Sequence, residues 1–274
     1  LDKKIESKNE EVEDLERRIR KYLDIPTSIV TDSVDYLKET YKDYETVFDQ
    51  VIEVPFTNNS TTKRYFDGSG VAKHLQFKND LRTQSYELTP YDETLLLDSD
   101  YIIANSLFKN CFESDHNFLI FKNAKDLTAW RDTAEFEKIS DTSIDFYWAT
   151  VIFFRKSEEN KIFFELTQHI QENWGHYNSI FQVNRGLFRN DHLFSIAIHI
   201  MNGYQKGDFA NKLPGTKYYT ADRDILWELN EDNFLFLLEK ENHLGEYTPL
   251  RIKGSNVHVM NKFSLNRIID RGEV

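Results

Sequence analysis

The feature that constrains this chain most is a pair of aspartates set between two apolar runs. Thr94-Leu95-Leu96-Leu97 precedes Asp98, Ser99 and Asp100, and Tyr101-Ile102-Ile103 follows them. A short apolar run of this kind reads as a strand buried on both faces, central in its sheet. Two charges in such a setting are costly unless they are paired or bind a cation. Carboxylates two residues apart on an extended or turning backbone can converge on one hard cation. Mg2+ and Mn2+ accept such oxygens together with substrate phosphates. In an open α/β sheet, ligands bind beyond the carboxyl ends of the strands, which is where Asp98 and Asp100 fall.

The surrounding pattern fits a sheet of that type. Apolar runs predict strands near 25–31, 49–55, 118–122, 147–155, 217–220, 235–239 and 257–260. Helical periodicity predicts helices near 33–42, 71–88, 104–112, 157–174, 191–202 and 262–270. The polar stretch 57–70 reads as a long loop. The alternation predicts an α/β fold, with a mixed sheet flanked by helices.

Residues 1–23 differ from the rest. Ile5, Val12 and Ile19 fall seven apart, with Leu1, Leu15 and Tyr22 in the complementary position and Lys8 breaking the series. Charges fill the other sites. This describes a heptad helix that either forms a short coiled coil or packs as an amphipathic helix on the domain. Asp24-Ile25-Pro26 ends it, because the residue before proline leaves helical geometry. The expected organisation is a helix over 1–23 and one domain over 24–274, with homo-oligomerisation through the helix as one outcome. The first residue is Leu, as expected of a fragment, a processed product or a fusion.

Composition narrows the partners. The net charge of −12 and the lack of an extended Lys/Arg run argue against nucleic acid. An acidic chain still binds a nucleotide when a divalent cation screens the phosphates. The single cysteine, Cys111, sits in an apolar run and reads as a buried thiol. No apolar run approaches the roughly 20 residues of a membrane span. A cytoplasmic protein is expected.

The segment Pro90-Tyr91-Asp92-Glu93-Thr94-Leu95-Leu96-Leu97-Asp98-Ser99-Asp100-Tyr101-Ile102-Ile103 resembles the metal-binding segment of GT-A glycosyltransferases. The likeness is to family eight, the glycogenin and lipopolysaccharide-galactosyltransferase group. The chain after residue 20 also resembles uncharacterised glycosyltransferase-like proteins of marine tailed phages of the cyanophage type. Such an origin implies the host cytoplasm, or association with the virion.

The resemblance implies a GT-A fold, a Mn2+ or Mg2+ ion held by Asp98 and Asp100, and a nucleotide-diphosphate sugar as donor. It implies a third metal ligand at His258, in Val257-His258-Val259-Met260-Asn261-Lys262, and phosphate contact by Lys262. A basic residue on the preceding helix is implied at Arg82, with Lys78 and Lys73 on the same helix. Tyr147-Trp148-Ala149-Thr150 is similar to a strand lining the sugar pocket. In Phe188-Arg189-Asn190-Asp191-His192, the likeness makes Asp191 the catalytic candidate at the donor sugar. The residues alone also allow Asp191 to be a helix N-cap. Three features depart from the family. Its glycine and Lys-Pro-Trp ending are missing after His258. Trp148-Ala149-Thr150 replaces its asparagine-alanine-glycine. The heptad helix stands where its first strand belongs. Asp32, at a strand end, becomes a surrogate base or ribose contact.

Three functions follow as expectations. The first is transfer of a sugar from the donor to a hydroxyl of a glycan or protein acceptor. The second is a non-enzymatic, degenerate transferase-fold module, structural or glycan-binding, oligomerised by residues 1–23. The third is phosphoryl transfer of the haloacid-dehalogenase type. Ile102, where that motif carries threonine, speaks against it.

Overall fold

The computed structural model describes residues 14–40, 47–55, 61–66, 72–77, 81–128, 131–132, 138–139, 144–183, 188–221, 223–240, 243 and 245–271. Its strands in chain order are β1 (Ser28–Thr31), β2 (Gln50–Glu53), β3 (Thr61–Phe66), β4 (Ala72–Phe77), β5 (Glu93–Leu97), β6 (Tyr101–Ile102), β7 (Phe118–Phe121) and β8 (Ala124–Asp126). They continue with β9 (Arg131–Asp132), β10 (Trp148–Arg155), β11 (Asn211–Lys212), β12 (Lys217–Thr220), β13 (Leu226–Asn230), β14 (Asn233–Glu239), β15 (Tyr247–Lys253) and β16 (Val257–Val259). The architecture is mixed α/β, with several sheets flanked by helices.

Two sheets position the site. The first runs β11-β7-β10-β5, and the second runs β6-β16-β12-β8-β9. Helices Glu158–Glu172 and Asn190–Met201 cover one face of the first sheet, where Ile152 and Phe154 of β10 meet Phe163, Phe164 and Phe194. Ser157 caps the earlier helix, its side chain accepting from Asn160 N–H. The other face of the first sheet, carrying Val151 and Phe153, packs on Tyr101 and Tyr219 of the second. The far face of the second sheet, with Ile102 and Val257, packs on β13, β14 and helix Lys262–Asp270. Alternation along each strand thus assigns Tyr101 and Ile102 to different cores.

The chain crosses between the two sheets at residues 98–101. There Tyr101 N–H donates to the Asp98 carbonyl at 3.1 Å, closing a four-residue turn. Beyond it, β6 pairs antiparallel with β16, setting Tyr101 opposite His258. Gly215 adopts φ +83 in the turn before β12, and a side chain there would meet Leu107 at 2.5 Å. A glycine is therefore required in the turn that delivers β12.

The N-terminal helix, described over 14–22, lies on this body. Ile19 and Leu23 join the core that contains Tyr101 and Trp148. Arg18, 2% exposed, donates from Nη1 to the carbonyls of Glu231 at 2.7 Å and Ile103 at 3.4 Å, and from Nε to Asp14 at 2.7 Å. The first heptad positions, including Ile5 and Val12, lie outside the described residues. Among the described residues no helix is long and apolar enough to cross a membrane.

Three sequence expectations are corrected. The loop expected over 57–70 contains β3, and the helix expected over 71–88 is replaced at its start by β4. These two strands form an antiparallel hairpin. Thr61, Thr62, Tyr65 and Phe66 favour extended backbone, and Leu75 and Phe77 recur with period two, which outweighs the helical reading. Lys73 therefore lies on a strand, and Arg82 on a separate 3-10 turn, Leu81–Gln84. Finally, β5 is not central: it is the last strand of its sheet among the described residues, and residues 95–97 are half-buried. The turn at 98–101 takes the chain out of that sheet.

Because Arg18 is a buried cation serving two carbonyls and a carboxylate, its loss leaves both carbonyls short of a donor, while Asp14 keeps Arg17. Arg18→Ala is expected to lower the unfolding free energy in urea by about 2 kcal/mol or more. Arg17→Ala, at a side chain 53% exposed, is expected to change it by less than about 0.5 kcal/mol.

Candidate metal centre

Asp98 and Asp100 sit in the crossing turn, and the imidazole of His258 reaches them from β16. Arg82 takes Asp98 Oδ1, and Lys262 takes Asp100 Oδ2 at 3.1 Å. The remaining oxygens face one nitrogen. His258 Nε2 is 2.9 Å from Asp100 Oδ1 and 3.9 Å from Asp98 Oδ2. One ligand atom from each of the three residues lies within 4.8 Å of the others.

These separations suit a small hard cation. Bonds of about 2.1 Å put neighbouring ligands about 3 Å apart and opposite ligands about 4 Å apart. Two carboxylate oxygens and one imidazole nitrogen are a donor set able to hold a metal ion. The ligand states also fit. The Lys262 ammonium and the His258 ring hold the Asp100 carboxyl well below the usual range, although burial opposes this. Burial lowers the pKa of His258, against the pull of Asp100, and so favours the neutral, ligating imidazole. One departure stands out: His258 Nδ1 is buried with no hydrogen-bond partner among the described residues. Metal-bound histidines usually donate from that second nitrogen.

Local structure explains the supporting charges. Asn261 caps helix Lys262–Asp270, accepting from Ser264 N–H at 3.0 Å. Lys262 is thereby the first helical residue, where a cation is disfavoured by the helix dipole unless an anion faces it. Asp100 is that anion. Arg82 also points Nη1 at the Thr150 carbonyl, 3.4 Å away. Its pKa falls to about 10 through burial, partly offset by Asp191 and Asp100.

Strand β10 brings in Asp191. The register of β10 against β7 shifts between Trp148 and Ile152, a bulge that frees backbone from the ladder. The Ala149 N–H donates instead to Asp191 Oδ1 at 2.8 Å. Arg189 holds Asp191 Oδ2 at 2.6 Å. Burial would raise the pKa of Asp191, but Arg189, Lys217 and the Ala149 N–H bring it below the ordinary value. The N-cap expectation for Asp191 is corrected: Arg189 occupies that position, and the Asp191 carboxylate turns to β10.

The structure thus brings together Asp98, Asp100, His258, Arg82 and Lys262, with Asp191 facing Arg82 electrostatically. Asp32 lies beyond β1 in a different, two-stranded sheet and accepts from Ser33 Oγ at 3.0 Å. It is not one of the three converging ligands. Lys78 lies outside the described residues. Cys111 is fully buried, and burial pushes its thiol up to about 12. A cavity of about 230 Å³ lined by Tyr86, Glu87, Lys156, Lys161, Phe164 and Glu165 shares no residue with the cluster.

One charged residue escaped the sequence reading. Lys217, on β12, is 1% exposed. Burial lowers its pKa to about 7, and the repulsion of Arg189 and Arg82 adds to this, while Asp191 and Asp100 oppose it. Between pH 7 and the ordinary 10.5, the unfolded chain binds more protons than the folded one, so this group makes stability rise with pH there. Lys217→Met is expected to unfold at a higher temperature than the unsubstituted chain at pH 7. The gap is expected to narrow at pH 9, as read by calorimetry at both values. No protein-family model matches the chain, and no curated protein matches it either.

Proposed function

We propose that the chain is a metal-dependent glycosyltransferase of the GT-A kind. It would move a sugar from a nucleoside-diphosphate sugar to a hydroxyl of a glycan or protein acceptor. The observation that carries this reading is the convergence of Asp98 Oδ2, Asp100 Oδ1 and His258 Nε2, with Arg82 and Lys262 behind the two carboxylates. A mixed α/β architecture is compatible with that fold, and the segment 90–103 resembles its metal motif.

A bound Mn2+ or Mg2+ supplies Lewis-acid charge at the departing diphosphate. The chain's own residues do the rest. Arg82 and Lys262 fix the two carboxylates through one oxygen each and add positive charge for phosphate oxygens. Asp191, kept ionised by Arg189 and the Ala149 N–H, is the acceptor for a donor-sugar hydroxyl. In the transfer, the acceptor oxygen bonds to the anomeric carbon and the bond from that carbon to phosphate oxygen breaks. The nucleoside diphosphate leaves with the bonding pair, and the hydroxyl proton passes to a base or to solvent.

A second reading, a non-enzymatic module on the same fold, draws on one observation. Arg82 and Lys262 already neutralise both carboxylates within the chain, which is also how a purely structural acidic pair is accommodated. Association through residues 1–23 belongs to this reading.

Thermal-shift measurements with a panel of nucleoside diphosphates separate the two. With Mn2+ present, one of them is expected to stabilise the fold by about 2.7 kcal/mol at a concentration 100-fold above its Kd. No shift is expected without the metal. Asp100→Asn, which keeps the shape and removes the charge, is expected to abolish the response. No response to any nucleotide in the unsubstituted chain would favour the structural module.

A further inference from the structure

Lys217 occupies a place that cation binding alone does not explain. It is a buried ammonium on the middle strand of the five-stranded sheet. Among the described residues its one hydrogen-bond partner is the Thr150 hydroxyl. Aromatic faces fill other sides: its Nζ lies 4.3 Å from the Trp148 ring centroid and 5.7 Å from that of Tyr219. Cation–π contacts and one hydroxyl replace only part of the hydration such a charge loses. A methionine would fill the same space without that penalty.

The register explains why Lys217 is aimed at the centre. Tyr219 pairs with His258 across β12 and β16, and His258 pairs with Tyr101 across β16 and β6. Lys217, two residues before Tyr219, shares its face. Four charged groups act on Lys217. Asp191 and Asp100 attract its proton, and Arg189 and Arg82 repel it. Lys217 in turn disfavours the protonated form of His258. Thr150 links it mechanically to the site as well, because the Thr150 carbonyl receives Arg82, which holds Asp98.

We infer that Lys217 is a positioning residue, a fixed charge behind Thr150 that biases the centre against a lone divalent cation and toward the cation together with a diphosphate. This deepens the preceding proposal and rests on its reading of the cluster. Lys217 is too buried to touch a ligand, so it acts through the field and through Thr150. In a low-dielectric interior a neighbouring positive charge repels a divalent cation and attracts a diphosphate.

The test is titration calorimetry on the full chain, with Mn2+ alone and then with inorganic pyrophosphate in saturating Mn2+. Lys217→Met is expected to bind Mn2+ about threefold tighter or more, and pyrophosphate about tenfold weaker. Opposite signs are the signature. A lysine that merely props the core would, on removal, weaken both or change neither, and either result overturns the inference. Thr150→Val removes the hydroxyl partner at nearly constant volume and is expected to give the same opposed pair, so it stands in if Lys217→Met does not fold. An unsubstituted chain that binds neither probe overturns this inference together with the reading beneath it. One that binds both, with variants shifting both affinities in the same direction, overturns this inference alone.

Discussion

The structure depends on opposite charges held in the seam between two sheets. Lys217 and His258 are buried there, and Arg82, Asp191 and Asp100 are nearly so. Removing either partner of an ion pair there leaves the other uncompensated in a poorly hydrated place. That requirement accounts for several local irregularities. The turn at 98–101 presents two carboxylates rather than continuing β5. The bulge in β10 turns the Ala149 N–H toward Asp191 and away from the ladder. A lysine begins helix Lys262–Asp270 because Asp100 faces it.

The aromatic core gives those charges a rigid frame. Phe163, Phe164 and Phe194 pack edge to face beneath the first sheet, and Trp148 lies against Tyr219 across the seam, ring centroids 5.2 Å apart. Close packing of this kind limits how far the charged groups can relax when one of them changes. The charged groups of the seam are therefore held in preset positions.

What the sequence made legible follows from how local each signal is. The helices at Glu158–Glu172, Asn190–Met201 and Lys262–Asp270 and the long strand β10 all carry strong apolar periodicity, and all lie close to where it places them. The hairpin β3–β4 was hidden because its polar residues resemble both a loop and a helix face. Asp98 and Asp100 are legible from the apolar runs around them and His258 from the family resemblance, and the three converge. The partners of Asp191 were not found, since the Ala149 N–H becomes available only through a bulge. Lys217 was invisible for a related reason. Nothing beside it in the chain marks it as buried; the residues that cover it are Trp148, far earlier in sequence, and Tyr219, whose orientation only the sheet register fixes.

The wide sequence separation of the partners has a consequence for biogenesis. Tyr101 pairs with His258, Arg18 clasps the carbonyl of Glu231, and Lys262 closes on Asp100. Contacts between such distant positions pay loop-closure entropy late and slow the search for the native state. A growing chain still on the ribosome therefore exposes two unclosed aspartates until residues 258 and 262 emerge. A chain released before residue 258 carries the acidic pair without His258 and Lys262, and one released between 258 and 261 still lacks Lys262.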